Sequence, residues 1–398
     1  MWCPILCLQL MIFVDYMGPI LPVIGHAPWN GVHLADFVMP FFLFVAGVSL
    51  ALVYKKVPNQ MDASWKAMVR ALKLFLLGVF LQGGYLHGTS SLTYGVDIER
   101  IRWLGILQRI SIGYIIAALC EIWLSHSSNG TGIGFFKIYY WQFVAISLSA
   151  IHLGLSYCLY VPDWQFSVSS TTSSLPSLKN CTSYSVRECF SEVFISYEIL
   201  NDLVSCGTRG DLGPACNSAG MIDRYVLGIN HLYMKPGYRN LKECNIASSG
   251  RSPETLPSWC LAPFDPEGIL SSLTASVTCI IGLQYGHVLA QLQEHKERLY
   301  HWTLYSVSFL ISGSILPFIG IPLNKSLYTV SYMLFTSASS GIIFCGFYLL
   351  VDVYGCRQWT VPLEWLGKHA LLIFIILTSN IAIILIQGFY WAKPENNI

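Results

Sequence analysis

The sequence predicts an all-α, polytopic membrane protein, and composition and hydropathy both support this class. Of 398 residues, 54% are hydrophobic and only 11% are charged, against about 25% charged in soluble domains. Apolar runs of about 20 residues, long enough to cross a bilayer as a helix, recur along the chain. They cover residues 2–18, 34–54, 67–82, 103–124, 138–160, 268–291, 302–320, 327–352 and 363–391. We therefore expect about nine transmembrane helices.

The runs fall into two groups on either side of one long polar segment. Helices 1 to 5 lie within residues 1–160, the polar loop covers 161–266, and helices 6 to 9 lie within 267–398. The first run has no basic flank, so it lacks the charged region of a secretory signal. We expect the chain to begin inside its first helix.

Basic residues predict the orientation of these helices. They gather in the connections after the second, sixth and eighth runs or at their edges: Lys55, Lys56, Lys66, Arg70, Lys73, Lys296, Arg298 and Arg357. Such connections face the cytoplasm. The connection that holds His26 has no Lys or Arg, and alternation places it with the 161–266 loop on the opposite, non-cytoplasmic side.

The 161–266 loop holds six of the 13 cysteines. They are Cys181, Cys189, Cys206, Cys216, Cys244 and Cys260. Up to three disulfides are expected, with 15 connectivities open. Asn180 begins a weak glycosylation sequon on the same side. No His/Cys cluster has metal-ligand spacing, so we predict no metal site, and a net charge of +1 gives no reason to expect nucleic-acid binding.

The stretch from Gly25 to Ser49 joins a polar loop to an apolar helix that carries a single acid, Asp36. An ionised carboxylate inside a membrane costs about 2.5–3.5 kcal/mol, so a lone one is a functional candidate. The alternative is a carboxylate that only satisfies the start of the helix. Before any resemblance is considered, the two interpretations have about equal weight.

A second candidate cluster lies at the start of the fourth run. Arg102 and Arg109 are seven residues apart, which predicts one helix face and about 10 Å of separation, and two guanidiniums could hold phosphates. Snorkelling, or ion pairs with Asp97 or Glu99, would also explain Arg102. Arg109, beside Gln108, is deeper and harder to explain structurally.

Further polar residues lie next to later runs. They are Asp223, Arg224 and His231 in a segment of helical spacing, Asp265 and Glu267 before the sixth run, Gln284 within it, and Asn324 with Lys325 in a short turn. For Asp265, helix capping is the leading structural explanation, with Pro266 at the first helical position. Gly282 and Gly286 form a GxxxG pattern that favours close helix packing.

These residues alone do not separate an enzyme from a transporter. A proton-coupled transporter could use Asp15, Asp36 and Arg109 as a relay. Transporters often contain inverted repeats, and the sequence shows no internal repeat. It also lacks a Gly-rich phosphate loop and a Gly-x-Ser-x-Gly elbow.

Five ordered blocks carry a resemblance to a known family. They are VDYMG with HAPWNGVHLADFVMPFFLFVAGVS, then IRWLGILQRISIGY, GMIDRYVLGINHLY and FDPEGILSSLTASVTCIIGLQYGHVL, and finally PLNKSLYTVSYML with VDVYG. Together they resemble the membrane domain of heparan-α-glucosaminide N-acetyltransferases and their plant and bacterial relatives, over nearly the whole chain. The resemblance implies a membrane acetyltransferase that transfers acetyl groups from cytosolic acetyl-CoA to an amino sugar on the other side. From the comparison with that family, we expect the chain to lack the long outer N-terminal domain of animal members and to stop before the family's final helix.

The resemblance also implies roles for particular residues. His26 matches the family's catalytic histidine in HxxWNG, and Asp15 stands where animal members have asparagine. A histidine suits the chemistry because a protonated amine needs a base whose pKa lies near working pH. His26 could deprotonate the amine or carry the acetyl group itself, with Asp15 or Asp36 orienting its ring.

The remaining candidates are expected to contact the donor or the acceptor. They are Arg102 and Arg109 for the CoA phosphates, and Asn30, Asp36, Gln108, Asp223, Arg224, His231, Asp265, Glu267, Gln284, Asn324 and Lys325 as site lining. Alternation places Arg102 at the outer end of its helix, so either the donor reaches deeply or Arg102 serves the acceptor. Expected partners are membrane lipid and a glucosamine-type acceptor, with a homodimer left open. The animal members imply a lysosomal or vacuolar membrane.

Overall fold

The structure, a computed structural model, describes residues 9–14, 17–18, 21, 23–54, 59–82, 102–125, 134–171, 197–234, 236–244, 257–355 and 369–378. Over these residues the protein is mostly helical. Nine helices are α1 Val38–Val53, α2 Gln60–Gln82, α3 Ile106–Cys120, α4 Gly134–Cys158, α5 Ser218–Leu227, α6 Ile269–Gln291, α7 His295–Ile315, α8 Val330–Tyr348 and α9 Ala370–Thr378. Two antiparallel strands, β1 Trp164–Thr171 and β2 Tyr197–Val204, pair from Trp164 with Val204 to Thr171 with Tyr197.

Within the described residues, six helical segments are long and apolar enough to cross a membrane, which confirms the predicted all-α polytopic class. They are Leu34–Val53, Ile106–Leu124, Tyr140–Cys158, Ile269–Gln291, His295–Ile319 and Val330–Val353, and each matches one of the predicted runs. The predicted run 67–82 lies in α2, which also carries Lys66, Arg70 and Lys73. The runs 2–18 and 363–391 lie largely outside the described residues.

Helix α6 is the central helix of the described part, with 89% of its membrane-spanning window buried. Short side chains in its first half let neighbouring elements pack closely around it. Many of these side chains carry hydroxyls, which bond to carbonyls of the same helix. Ser276 Oγ, for example, donates to the Ser272 carbonyl at 2.8 Å. Hydroxyls satisfied in this way can lie in an apolar environment at little cost.

Glycines let α1 pack directly against α6. A Cβ at Gly282 would lie 2.0 Å from the Phe44 carbonyl oxygen, and one at Gly47 would lie 1.9 Å from the Cys279 carbonyl oxygen. At Gly286 an added Cβ would meet Ala51 and Val48. The packing role predicted for the GxxxG pattern is therefore confirmed, and α1, which follows the His26 loop, is fixed against the most buried helix.

The segment between α4 and α6 packs over the His26 loop. Two disulfides, Cys206–Cys216 and Cys244–Cys260, close parts of it, while Cys181, Cys189 and Asn180 lie outside the described residues. The indole N–H of Trp29 donates to the Leu212 carbonyl at 3.0 Å. The Trp29 ring also packs edge-on against the rings of Tyr238 and Phe264, with centroids 5.8 and 5.5 Å away. These contacts fix the loop from the outside.

We predict that Gly282→Ala destabilises the protein by about 1–3 kcal/mol, because its methyl group would overpack the α1–α6 contact. Thermal unfolding in detergent, followed by intrinsic fluorescence, measures the change. The matched control is Gly154→Ala in α4, where an added Cβ meets no atom within 4 Å. Equal unfolding midpoints for both variants would contradict the close-packing role.

Candidate active site

His26 and Asp36 form the pair at the centre of the candidate site. Nδ1 of His26 lies 2.9 Å from Oδ1 of Asp36. The Asp36 side chain is fully buried, whereas 55% of the His26 side chain is exposed. A carboxylate at Nδ1 fixes the ring's orientation, which leaves Nε2 as the nitrogen available to a substrate.

The backbone holds Asp36 in this position. Asp36 lies in a 3-10 turn, Leu34–Phe37, just before α1. Its Oδ2 accepts from the backbone N–H groups of Ala27 at 3.2 Å and His33 at 2.9 Å, and the Tyr332 hydroxyl donates to its carbonyl. Asp36 therefore satisfies the start of the helix and also contacts His26, while its functional role stays a prediction.

Lys325 reaches the same pair from the turn before α8. Its Nζ lies 2.8 Å from Nδ1 of His26 and 3.3 Å from Oδ1 of Asp36. An isolated bridge joins Asn30 to Asn324, and the Asn324 amide donates to the Asn30 side chain at 3.2 Å. Residues 299 positions apart in the chain are thus held in hydrogen-bonding contact.

Arg102 pairs with two acids on the segment before α6. Its guanidinium donates to Oδ2 of Asp265 at 2.9 Å and also to Glu267. Burial lowers the pKa of Arg102, but the two carboxylates outweigh it, so that the pKa is raised. Burial raises the pKa of Asp265 despite Arg102. Burial also acts to raise the pKa of Glu267, but Arg102, Arg109 and Lys325 together outweigh it, so that this pKa is lowered.

This geometry corrects one expectation about the arginines. Helix α3 begins at Ile106, after extended backbone at Gly105, so Arg102 and Arg109 do not share a helix face. Arg102 pairs with Asp265 and Glu267, whereas its expected partners Asp97 and Glu99 lie outside the described residues. The phosphate role of both arginines stays a prediction.

Arg109 is buried beneath the turn that carries these acids. It is 1% exposed, donates to the Pro266 carbonyl and the Ser271 hydroxyl, and lies 5.3 Å from the centroid of the Tyr328 ring. Its positive charge therefore acts on the carboxylate of Glu267. Its hydrogen bonds to Pro266 and Ser271 hold the start of α6 in place.

The capping role expected for Asp265 is wrong, because α6 begins at Ile269 and not at Pro266. Asp223 of α5 supplies the cap instead, with its Oδ1 accepting from the Ile269 N–H at 2.8 Å. Gly268 makes this approach feasible, because a Cβ there would lie 1.8 Å from Oδ2 of Asp223. Burial raises the pKa of Asp223 to about 7.

Four other predicted site residues contact neither His26 nor Asp36 and are not among the residues that line the cavity described below. Gln284 is 15 residues after the start of α6, roughly 22 Å along the helix. Gln108 packs against Gly78 of α2. His231 lies beside the Trp103 ring, with centroids 5.6 Å apart. Arg224 stacks on Trp164 at 3.7 Å, and burial lowers its pKa to about 10. Asp15 lies outside the described residues.

Sequence reasoning missed two tyrosines that support the site. Tyr332 bonds the Asp36 carbonyl. Tyr328 has φ 48°, an uncommon backbone conformation for a bulky residue, and its carbonyl accepts from Thr274 at 2.7 Å. The signal in the sequence was a pair of tyrosines four residues apart, soon after Asn324 and Lys325. Both are fully buried in the structure.

A cavity of about 450 Å³ opens beside this cluster. Among the described residues, its titratable lining consists of His26, Glu267 and Lys325, and the rest is mostly apolar. The α1 part of the lining extends from Ala35 to Ser49, roughly 21 Å along the helix axis. The other lining residues are Met11, Val14, Val38, Met39, Phe42, Val45, Ala46, Leu74, Ile106, Leu107, Ile110 and Leu371. The cavity can therefore hold a long, narrow molecule with one end at His26.

We predict that Asp223→Asn changes how stability depends on pH. A folded-state pKa near 7 against an ordinary value near 3.9 means that Asp223 stabilises the fold most at low pH. That stability is lost as pH rises towards 7, by at most about 1.4 kcal/mol per unit. An amide keeps the acceptor for Ile269 without the charge. The substitution should therefore raise the unfolding midpoint more at pH 8 than at pH 5, and an equal change at both would contradict the assignment.

Comparison with known proteins agrees with the resemblance. The chain is 26% identical over 393 residues to "Heparan-alpha-glucosaminide N-acetyltransferase" of Mus musculus, and 26% identical over 396 residues to the protein of the same name from Homo sapiens. Each alignment covers 93% of this chain and 51% of the relative, so the chain spans about half the length of these curated relatives. No protein-family model matches it. The chain is therefore a distant relative of the heparan-alpha-glucosaminide N-acetyltransferases.

Proposed function

We propose that the protein is a membrane acetyltransferase that moves the acetyl group of acetyl-CoA to the amine of a glucosamine-type sugar. The observation that carries the proposal is the half-exposed ring of His26, held at Nδ1 by the buried Asp36 carboxylate and lining one end of the long cavity. The similarity to the two curated acetyltransferases supports the reaction class.

His26 acts through Nε2. A sugar amine is protonated near neutral pH and has no lone pair for attack, so it must first lose a proton to a base. Imidazole has an ordinary pKa of about 6.5 and can take that proton. Asp36 accepts a hydrogen bond from Nδ1, orients the ring and stabilises the imidazolium that forms, as the acid of a hydrolase triad does.

The shape of the cavity suits the acetyl donor. The thioester arm of acetyl-CoA is long and narrow, and the cavity extends about 21 Å along α1 between largely apolar walls. With the thioester beside His26, the rest of the donor would reach towards the opposite end of the helix. This arrangement is compatible with a donor that enters from one side of the membrane and an acceptor that enters from the other.

The acids beside Arg102 suit the acceptor. Asp265 and Glu267 already neutralise the Arg102 guanidinium, which makes this arginine a poor phosphate site. Carboxylates are strong acceptors for sugar hydroxyls and for an ammonium group. We therefore place the acceptor between Glu267, which lines the cavity, and His26.

The orientation follows from the basic connections of the sequence. The His26 loop and the disulfide-bonded segment would face away from the cytoplasm, as the positive-inside pattern predicts. From the resemblance to the animal members, we expect the protein to lie in a lysosomal membrane.

We predict that His26→Ala lowers acetyl transfer by at least about 100-fold, the range for loss of a general base. The assay follows label from radiolabelled acetyl-CoA to glucosamine with purified protein in detergent. His301→Ala, in α7 and outside the cavity lining, is the control and should retain activity. Transfer at the wild-type rate by the His26 variant would overturn the mechanism.

Rapid gel filtration of the labelled enzyme at neutral pH separates the two routes through His26, because acid would hydrolyse an acetyl-imidazole. Direct transfer predicts no label on protein when acceptor is omitted, whereas an acetyl-histidine route predicts stoichiometric label that His26→Ala abolishes. If the wild type transfers no acetyl group but carries glucosamine into proteoliposomes, the transporter alternative is correct.

A further inference from the structure

Nδ1 of His26 has two competing partners. Oδ1 of Asp36 lies 2.9 Å away and Nζ of Lys325 lies 2.8 Å away. In a neutral imidazole each ring nitrogen either carries a proton or presents a lone pair. Nδ1 therefore cannot donate to the carboxylate and accept from a lysine ammonium at the same time, so the contact has two alternative proton arrangements.

The two arrangements give His26 opposite properties. If Lys325 is a neutral amine, Nδ1 carries the proton and donates it to Asp36, and Nε2 is a free base. If Lys325 is an ammonium, it donates to Nδ1, and the ring proton moves to Nε2, where the ring can no longer accept from a substrate. The charge of Lys325 thus determines whether His26 is a base or an acid.

The backbone fixes Lys325 at this position. The Gly31 N–H donates to the Leu323 carbonyl at 2.9 Å, and the Asn324 side chain accepts from the Leu327 N–H at 2.9 Å. The turn ends at Tyr328 in its positive-φ conformation, which costs of order 1–3 kcal/mol. A lysine whose ammonium group lay in solvent would not need a backbone held by these contacts.

The surroundings of Lys325 make the neutral form accessible. Its side chain is 21% exposed, and the charged or titratable groups that face it are His26, Asp36, Glu267 and Arg109. Burial and Arg109 lower the pKa of Lys325, whereas Asp36 and Glu267 raise it, and the net result is a lowered pKa.

We propose that Lys325 is a positioning residue that selects the tautomer of His26 and accepts the Nδ1 proton once Nε2 has taken one from the substrate. This inference rests on the proposed acetyl transfer and adds a second proton acceptor to it. Because Lys325 acts through His26, it need not touch the reacting atoms.

The proton balance closes over one turnover. The acceptor ammonium gives a proton to Nε2, and the Nδ1 proton moves to Lys325. The amine then forms the N–C bond to the acetyl carbon, and the C–S bond of the thioester breaks. Nε2–H protonates the departing thiolate, and Lys325 returns its proton to Nδ1. The second proton of the amine passes to Nε2 and then to water, so every protein group returns to its starting state.

Two substitutions separate this role from a purely electrostatic one. Lys325→Met removes the amine but leaves Asp36 to hold the Nδ1 proton. Lys325→Arg keeps a positive charge that cannot be given up, so it should donate to Nδ1 permanently and hold the proton on Nε2. Lys296→Met, an exposed lysine of α7, is the control.

The first test is the ¹⁵N NMR spectrum of imidazole-labelled protein, with His26 assigned by His26→Gln. In the wild type, we expect the neutral ring to change from Nε2–H to Nδ1–H as pH rises. Lys325→Met should show Nδ1–H and Lys325→Arg should show Nε2–H throughout. The same tautomer in all three proteins would overturn the inference.

The second test compares acetyl-transfer rates for variants that keep wild-type elution volumes and unfolding midpoints. We expect Lys325→Arg to lower kcat by about 100-fold, and Lys325→Met to retain more activity than Lys325→Arg although it loses the charge. Wild-type activity of Lys325→Arg would overturn the inference in favour of a fixed charge. The NMR test needs no turnover, so a normal tautomer change in an inactive wild type would overturn the proposed function and support the tautomer control.

Discussion

The burial of one carboxylate organises the candidate site. Asp36 has 0% exposure, and an ionised acid so placed is tolerated only when hydrogen bonds and opposite charge compensate for lost hydration. Compensation comes from two separate parts of the chain: the loop supplies the Ala27 and His33 N–H groups and His26, and the turn before α8 supplies Lys325. These segments must therefore converge at the start of α1, where the Tyr332 hydroxyl of α8 also bonds the backbone carbonyl of Asp36.

A second set of buried charges positions the other wall of the site. The turn before α6 presents Asp265 and Glu267 to Arg102, while Arg109 binds that turn from beneath. Asp223 caps α6 from α5. Removing one member of such a network leaves an uncompensated charge, which costs more than the intact network contributes. The acidic turn of the site is consequently built onto α6, which itself packs against α1 through its glycines. A change in the core contacts of α6 would therefore also move the site.

The sequence was sufficient to predict the features that depend on local composition. Apolar runs predicted the membrane helices, GxxxG predicted close helix packing, and an isolated acid made Asp36 a candidate site residue. Features that depend on distant partners were not accessible. Spacing suggested that Arg102 shares a helix face with Arg109. The backbone is extended at Gly105, however, and the helix begins only at Ile106, after Arg102. Asp265 had the local pattern of a cap, yet Asp223 reaches Ile269 from another helix. The Lys325–His26 contact joins residues 299 positions apart, and no local pattern encodes it.

The balance of charges around the cavity bears on how an amine can be activated there. Carboxylates alone would bind an ammonium group well but would also raise its pKa, which opposes its deprotonation. Here Asp36, Asp265 and Glu267 are matched by Arg102, Arg109 and Lys325, which contact or face them. Such pairing keeps local acceptors for the substrate while limiting the net negative potential that would oppose loss of the ammonium proton. In the proposed acetyl transfer, the buried arginines would contribute through this balance of charge.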